Sequence, residues 1–240
     1  MPLILRTLAG SRAYGLETPE SDYDYHEVFV TPTRELLSLG SESRKTRWEE
    51  KQEGTDTQAW ELGHFLYLAT KCNPTVLETF VAPTVFNDGS SCPVGEQGSL
   101  AVRLRGLLPH VLSRGLVYDA FRGYAHNQRA KLFSKPDDPT RDQPSARQWK
   151  FAAQYLRVLI VGERLLRTGK LTINMHEYPG LGLELLRKTR QGSLTLGEVV
   201  DLAKSVELNL ERARESVAVP EKPKLEVVND FLLGVRRENW

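Results

Sequence analysis

Asp22 and Asp24 stand two residues apart at the head of an alternating run from Tyr23 to Val30. Successive side chains on a strand point to opposite faces, so the two carboxylates face the same way. Carboxylates held that close repel unless a cation lies between them. Magnesium suits such a place, because it takes a few carboxylate oxygens and fills its other positions with water and phosphate oxygens. Manganese is an accepted substitute at such oxygen ligands.

The segment just before supplies a complementary half. Leu3 to Leu8 is a short apolar run that stops at Ala9-Gly10-Ser11, the pattern of a buried strand entering a turn. Gly10 has no Cβ, so backbone amides there can approach a phosphate closely, and the Ser11 hydroxyl adds a hydrogen bond. Arg12 follows, either as a contact to a triphosphate or as a solvated side chain. A phosphate cradle opposite a carboxylate pair is what nucleotidyl transfer needs. Metals neutralise the triphosphate, orient the α-phosphate and stabilise the attacking and leaving oxygens.

Three motifs carry a resemblance: Gly10-Ser11-Arg12-Ala13-Tyr14-Gly15, Ser21-Asp22-Tyr23-Asp24, and Asn73-Pro74-Thr75-Val76-Leu77-Glu78. Together they resemble the Gly-Ser … Asp-x-Asp signature of the DNA polymerase β-like nucleotidyltransferase superfamily. More closely, they are similar to a bacterial and phage family of predicted nucleotidyltransferases with RNA-ligase-associated members. The resemblance implies an α+β fold, with a polymerase-β-like core (a small mixed sheet with flanking helices) followed by an α-helical domain. It implies transfer of a nucleoside monophosphate from a nucleoside triphosphate, ATP included, to an acceptor hydroxyl, with an RNA end favoured and pyrophosphate released. It also implies a third carboxylate on a neighbouring strand. Asp56 is the choice by position and Glu61 the rival, so the expected metal set is Asp22, Asp24 and Asp56. Relatives often place basic residues on a long later helix, which makes Lys150 a candidate phosphate contact beside Gly10, Ser11 and Arg12, with a solvated helix face as the alternative. In one departure, many relatives carry Arg-Gly where this chain has His26-Glu27. His26 shares the strand face of the aspartates, and a supporting role is expected for it ahead of a metal-ligating one.

The remaining readings are local. Asn73-Pro74 is a sound helix start, with Asn capping free amides and Pro at the first helical position, and Glu78 then falls on the helix surface. Beyond about Gly95 the pattern is nearly all helix, including one stripe from Leu104 to Leu112 and a long helix from Ala146 to Arg167. A catalytic domain over residues 1–94 and a helical domain over 95–240 is the natural division. Ser134 to Ser145 reads as a surface loop. Its neighbourhood holds Lys131, Lys135, Arg141 and Arg147, a weak RNA-contact candidate diluted by Asp137, Asp138 and Asp142. The net charge is +1, so no overall basic field draws nucleic acid in. Cys72 and Cys92 have no CxxC spacing and are expected reduced, and His64, His110, His126 and His176 show no metal spacing. No stretch has the length of a signal peptide or a transmembrane helix, and a cytoplasmic protein without membrane partners is expected. Two other function classes fit parts of the pattern. One is a regulatory or antitoxin-like module that binds a nucleotide without turnover, and the other a phosphohydrolase using Asp22, Asp24 and His26.

Overall fold

The computed structural model describes residues 2–85, 91–92, 99–134, 143–178, 180 and 182–240. In chain order its first elements are β1 (Leu3–Ala9), α1 (Gly10–Tyr14), β2 (Tyr23–Phe29), α2 (Thr33–Leu36), β3 (Arg47–Gln52) and β4 (Thr55–Glu61). Next come α3 (Leu62–Thr70), α4 (Pro74–Thr79), β5 (Thr84–Val85), β6 (Ser91–Cys92), α5 (Ser99–Arg105) and α6 (Leu108–Val111). The chain continues with α7 (Arg114–Leu132), α8 (Ala146–Thr168), α9 (Gly182–Arg190), α10 (Leu196–Ala213) and α11 (Leu225–Glu238). Among the described residues no helix is long and apolar enough to cross a membrane.

The chain forms two compact units. One comprises Met1–Leu112 together with Lys222–Trp240, and the other comprises Ser113–Glu221. This differs from a division near residue 95, a position that itself lies outside the described residues. The physical reason is a buried carboxylate. Glu61 is nearly solvent-free and needs a cation, and Arg236 of α11 supplies it, with Nη1 2.7 Å from Oε1 and Nη2 donating to Oε2 at 2.9 Å. The Thr33 amide also donates to the Asn239 carbonyl at 2.7 Å, and the Lys224 amide to that of His110 at 2.8 Å. The last helix therefore belongs to the unit that holds the sheet.

That sheet has six strands in the order β3-β4-β2-β1-β5-β6. β2 and β4 run parallel, and the other neighbours are antiparallel, so the expected small mixed sheet is present. Gln52 pairs with Thr55, which leaves Glu53-Gly54 as a two-residue hairpin turn. Helices α3 and α4 contribute to the core, where Trp60, Phe65 and Phe80 follow one another at ring separations of 6.2 and 5.1 Å. Both helix starts are capped by side chains. Glu61 accepts from the Gly63 amide, and Asn73 accepts from the Val76 amide with Pro74 next to it. The stripe from Leu104 to Leu112 is two helices instead of one, because Gly106 ends α5 and Pro109 sits in the first turn of α6.

The second unit is helical. α8 starts at a capping box in which Ser145 and Gln148 satisfy each other's backbone amides, and Thr195 and Glu198 do the same for α10. α8 is buried along most of its length, and its Gly162 lies so near Phe121 of α7 that a Cβ there would come within 2.8 Å of the ring. Helix α9 has no counterpart in the sequence reading. Lys135, Asp137, Asp138, Arg141 and Asp142, from the weak basic cluster, lie outside the described residues.

Candidate active site

Strand register brings the sequence motifs into one line. Ala9 pairs with Asp24, Asp24 with Asp56, and Asp56 with Lys51, forming a transverse row across β1, β2, β4 and β3. Partners in register share a face of the pleat, so Asp24 and Asp56 lie side by side on adjacent parallel strands. Asp22 immediately precedes β2 and is exposed, and the Tyr23 amide donates to the Gly54 carbonyl at 2.9 Å, so the ladder begins directly after it. Lys51 sets its Nζ 3.5 Å from Asp56 Oδ2. Sequence reasoning missed this lysine because it carries no motif. The hairpin turn at Glu53-Gly54 was the available signal, since two-residue closure puts residue 51 opposite residue 56.

Gly10 touches this row. Its φ is +63°, and a Cβ built there would sit 1.7 Å from Asp24 Oδ2 and 2.6 Å from its Cγ. The Asp24 carboxylate thus fills the space a side chain would need, which is a second reason for glycine beyond access of a phosphate. Ser11 is buried in α1. Arg12 donates through Nε and Nη2 to the Ser21 carbonyl at 3.2 and 2.7 Å, and its guanidinium lies 3.9 Å from the Tyr23 ring centroid. Tyr14 donates its hydroxyl to Glu78 Oε2 at 2.7 Å, a contact across 64 residues that joins the first motif to the third. Glu78, expected on a helix surface, is instead buried.

The two residues that rivalled or accompanied the acidic set lie elsewhere. Glu61 stands five residues after Asp56 on β4, hence on the opposite face, where it caps α3 and pairs with Arg236. His26 is buried, with Nδ1 2.9 Å from Thr79 Oγ1 and its ring edge-on to Trp60 at 5.1 Å. Burial, reinforced by the positive charge of Arg47, lowers its pKa to about 4, so the ring is neutral at pH 7 and serves packing. Lys150 is an exposed residue of α8 in the second unit.

Among the described residues, no group of three or more His, Cys, Asp or Glu side chains is gathered closely enough to hold a metal ion alone. The expected set of Asp22, Asp24 and Asp56 is therefore not gathered into such a group. The donors that share a strand face, Asp24 and Asp56, are all-oxygen and fit a hard cation, with Asp24 pressed against a glycine turn.

A family model described as "RNA repair pathway DNA polymerase beta family" matches residues 1–234. An uncharacterized 38.9 kDa protein from the nrdC-mobD intergenic region of Enterobacteria phage T4 is 29% identical over 89 residues. That match covers 35% of this chain and 26% of the phage protein. A crystal structure of a nucleotidyltransferase-like protein from Exiguobacterium sibiricum aligns over 98% of this chain and 74% of its own, at 11% identity and a TM-score of 0.25, a likeness too slight to argue from.

Proposed function

The chain belongs to the RNA repair pathway DNA polymerase beta family, and from that premise we propose that it is a metal-dependent nucleotidyltransferase acting on RNA ends. The reaction moves a nucleoside monophosphate from a nucleoside triphosphate to an acceptor hydroxyl and releases pyrophosphate. The observation that carries this reading is the contact of Gly10 with Asp24 inside the row that pairs Asp24 with Asp56.

Roles follow from position. Gly10 and Ser11 present backbone amides and a hydroxyl to the triphosphate, on the side where Asp24 abuts the turn. Asp22 and Asp24 would offer carboxylate oxygens to Mg2+ or Mn2+. When bound, the metal ions neutralise the triphosphate and polarise the α-phosphate. Asp56 aligns the acceptor hydroxyl and takes its proton. The acceptor oxygen bonds to the α-phosphorus as the bond to the bridging oxygen of the β-phosphate breaks, and pyrophosphate leaves with that electron pair. Lys51 keeps Asp56 paired before the acceptor arrives, at 3.5 Å. The protein works in the cytoplasm.

The test is incubation with each α-labelled nucleoside triphosphate, magnesium or manganese, and a mixed RNA pool, beside Asp22→Asn, Asp24→Asn, Asp56→Asn and Glu61→Gln variants. Label should pass to RNA with the unaltered chain and with Glu61→Gln, provided the latter folds, and fail with each Asp variant. Full transfer by Asp22→Asn would refute the mechanism. Stable nucleotide binding with no pyrophosphate released would favour a binding module, and release of inorganic phosphate a phosphohydrolase.

A further inference from the structure

We propose that Arg12 is the positioning residue for Asp22, holding the backbone and ring on either side of that carboxylate and acting on the metal site, not on the triphosphate. Ser21 and Tyr23 flank Asp22, and Arg12 engages both. Its Nε and Nη2 converge on the Ser21 carbonyl at 3.2 and 2.7 Å, and its guanidinium covers the Tyr23 ring at 3.9 Å. The segment before it is closed on itself. The Ser21 amide donates to the Thr18 carbonyl at 2.9 Å, and the Thr18 amide donates to Ser21 Oγ at 2.9 Å. After it, the Tyr23 amide joins the ladder through Gly54. Asp22 itself is exposed, and it stands between the two residues that Arg12 holds.

The same short helix braces both aspartates. Gly10, at the start of α1, is in contact with the Asp24 carboxylate, and Arg12, two residues on, fixes the approach to Asp22. α1 therefore sets the spacing of two carboxylates that must reach a common ion. A guanidinium suits the task because it offers two donors in a fixed plane and a flat surface for the ring, and an ammonium offers neither.

This inference rests on the metal-dependent reading above, and its consequence separates it from a triphosphate contact. Loss of a phosphate ligand raises the KM for nucleotide at saturating metal and is partly rescued by lysine, which keeps the charge. Loss of a positioning residue raises the metal requirement and is not rescued by lysine. The experiment measures calorimetric binding of a non-transferable α,β-methylene nucleoside triphosphate across a Mn2+ series, using the full chain and its Arg12→Ala, Arg12→Lys and Asp22→Asn variants. Thermal melts confirm that each variant folds.

Both Arg12 variants should need about tenfold more Mn2+ for half-maximal binding, the scale on which outer partners of metal ligands act. Asp22→Asn should need still more. In turnover assays the metal requirement should move likewise, with the nucleotide KM at saturating metal changed less than about twofold, as expected when ground-state nucleotide binding is untouched. An unchanged Mn2+ requirement in Arg12→Ala, or recovery in Arg12→Lys, overturns the inference and leaves the metal reading standing. Binding that is indifferent to Mn2+ and to Asp22→Asn overturns the metal reading, and the inference with it.

Discussion

Replacing Gly10 with alanine adds a single methyl group at the point where the turn meets Asp24. The new Cβ falls 1.7 Å from Asp24 Oδ2, whereas real Cβ contacts essentially never fall under 3.0 Å, so the carboxylate must retreat by at least 3.0 − 1.7 = 1.3 Å. A displacement on the order of 1 Å in a reacting constellation costs about 10²-fold in rate. That corresponds to roughly 2.7 kcal/mol of transition-state stabilisation. The backbone adds its own cost, since φ is +63° and an L-residue in the left-handed region loses about 1–2 kcal/mol. Gly40→Ala separates the two effects, because φ there is +80° and a Cβ meets nothing within 4 Å. The assay is transfer from α-labelled nucleoside triphosphate at saturating metal, beside thermal melts of both variants. Both should lose a few degrees of melting temperature, at ~2–4 °C per kcal/mol for a chain of this size. Only Gly10→Ala should lose turnover. A folded Gly10→Ala protein that keeps its rate within threefold would show that the position of Asp24 against the turn has no bearing on the chemistry.

Other perturbations have equally definite outcomes. Arg236→Met leaves the Glu61 carboxylate buried without its cation and should destabilise the first unit by about 3–5 kcal/mol, while the Glu61→Leu/Arg236→Met pair should recover part of that, the cap on α3 being lost with Glu61; denaturant melts of the three proteins compare them, and equal losses in single and double variants would refute the ion-pair account. His26 is protonated at about 4 in the folded chain but near 6.5 when unfolded, so below pH 6.5 the unfolded state binds the extra proton. Its contribution is intact above pH 6.5, declines as pH falls towards 4 and is then flat, amounting to about 3 kcal/mol at most; His26→Gln should flatten the stability profile in that window, and an unchanged profile would refute the assignment. Tyr14→Phe removes the donor to buried Glu78 and should cost about 1–3 kcal/mol of stability; a melting curve indistinguishable from that of the unaltered protein would count against the link between the first and third motifs. Gly162→Ala brings a methyl to 2.8 Å from Phe121 and should cost about 1–3 kcal/mol, read in the second unit's helical melt.

Features decided by neighbouring residues are legible in the sequence. Alternation marks β2, a Gly-Ser stop ends β1, and Asn73-Pro74 opens α4 where capping chemistry requires it. Pairing across the sheet is different in kind. Nothing in the order of residues says that β2 lies beside β4 in parallel, and that pairing alone puts Asp56 next to Asp24. The depth of His26 is hidden for the same reason, because an alternating strand does not announce which of its positions a helix will cover. Arg12 read equally well as a phosphate contact or a solvated side chain, and only the approach of the Ser21 carbonyl distinguishes a third role. The return of α11 to the sheet unit rests on a partnership between residues 61 and 236, a separation no periodicity encodes.

The row of Lys51, Asp56, Asp24 and Ala9 has a consequence for how such a chain can change over time. Each member holds its face by the parity of its position along a strand. Adding or removing one residue inside β2 or β4 would reverse that parity for everything beyond it, bringing Tyr23 or Tyr25 to the face that Asp24 now occupies. The segment from Leu16 to Ser21 lies outside the strands, so a change in its length leaves the parity of β2 intact. Length variation among relatives should therefore gather in the connections and be absent between Tyr23 and Phe29, so that aligned gaps in a family would trace this row without reference to any conserved side chain.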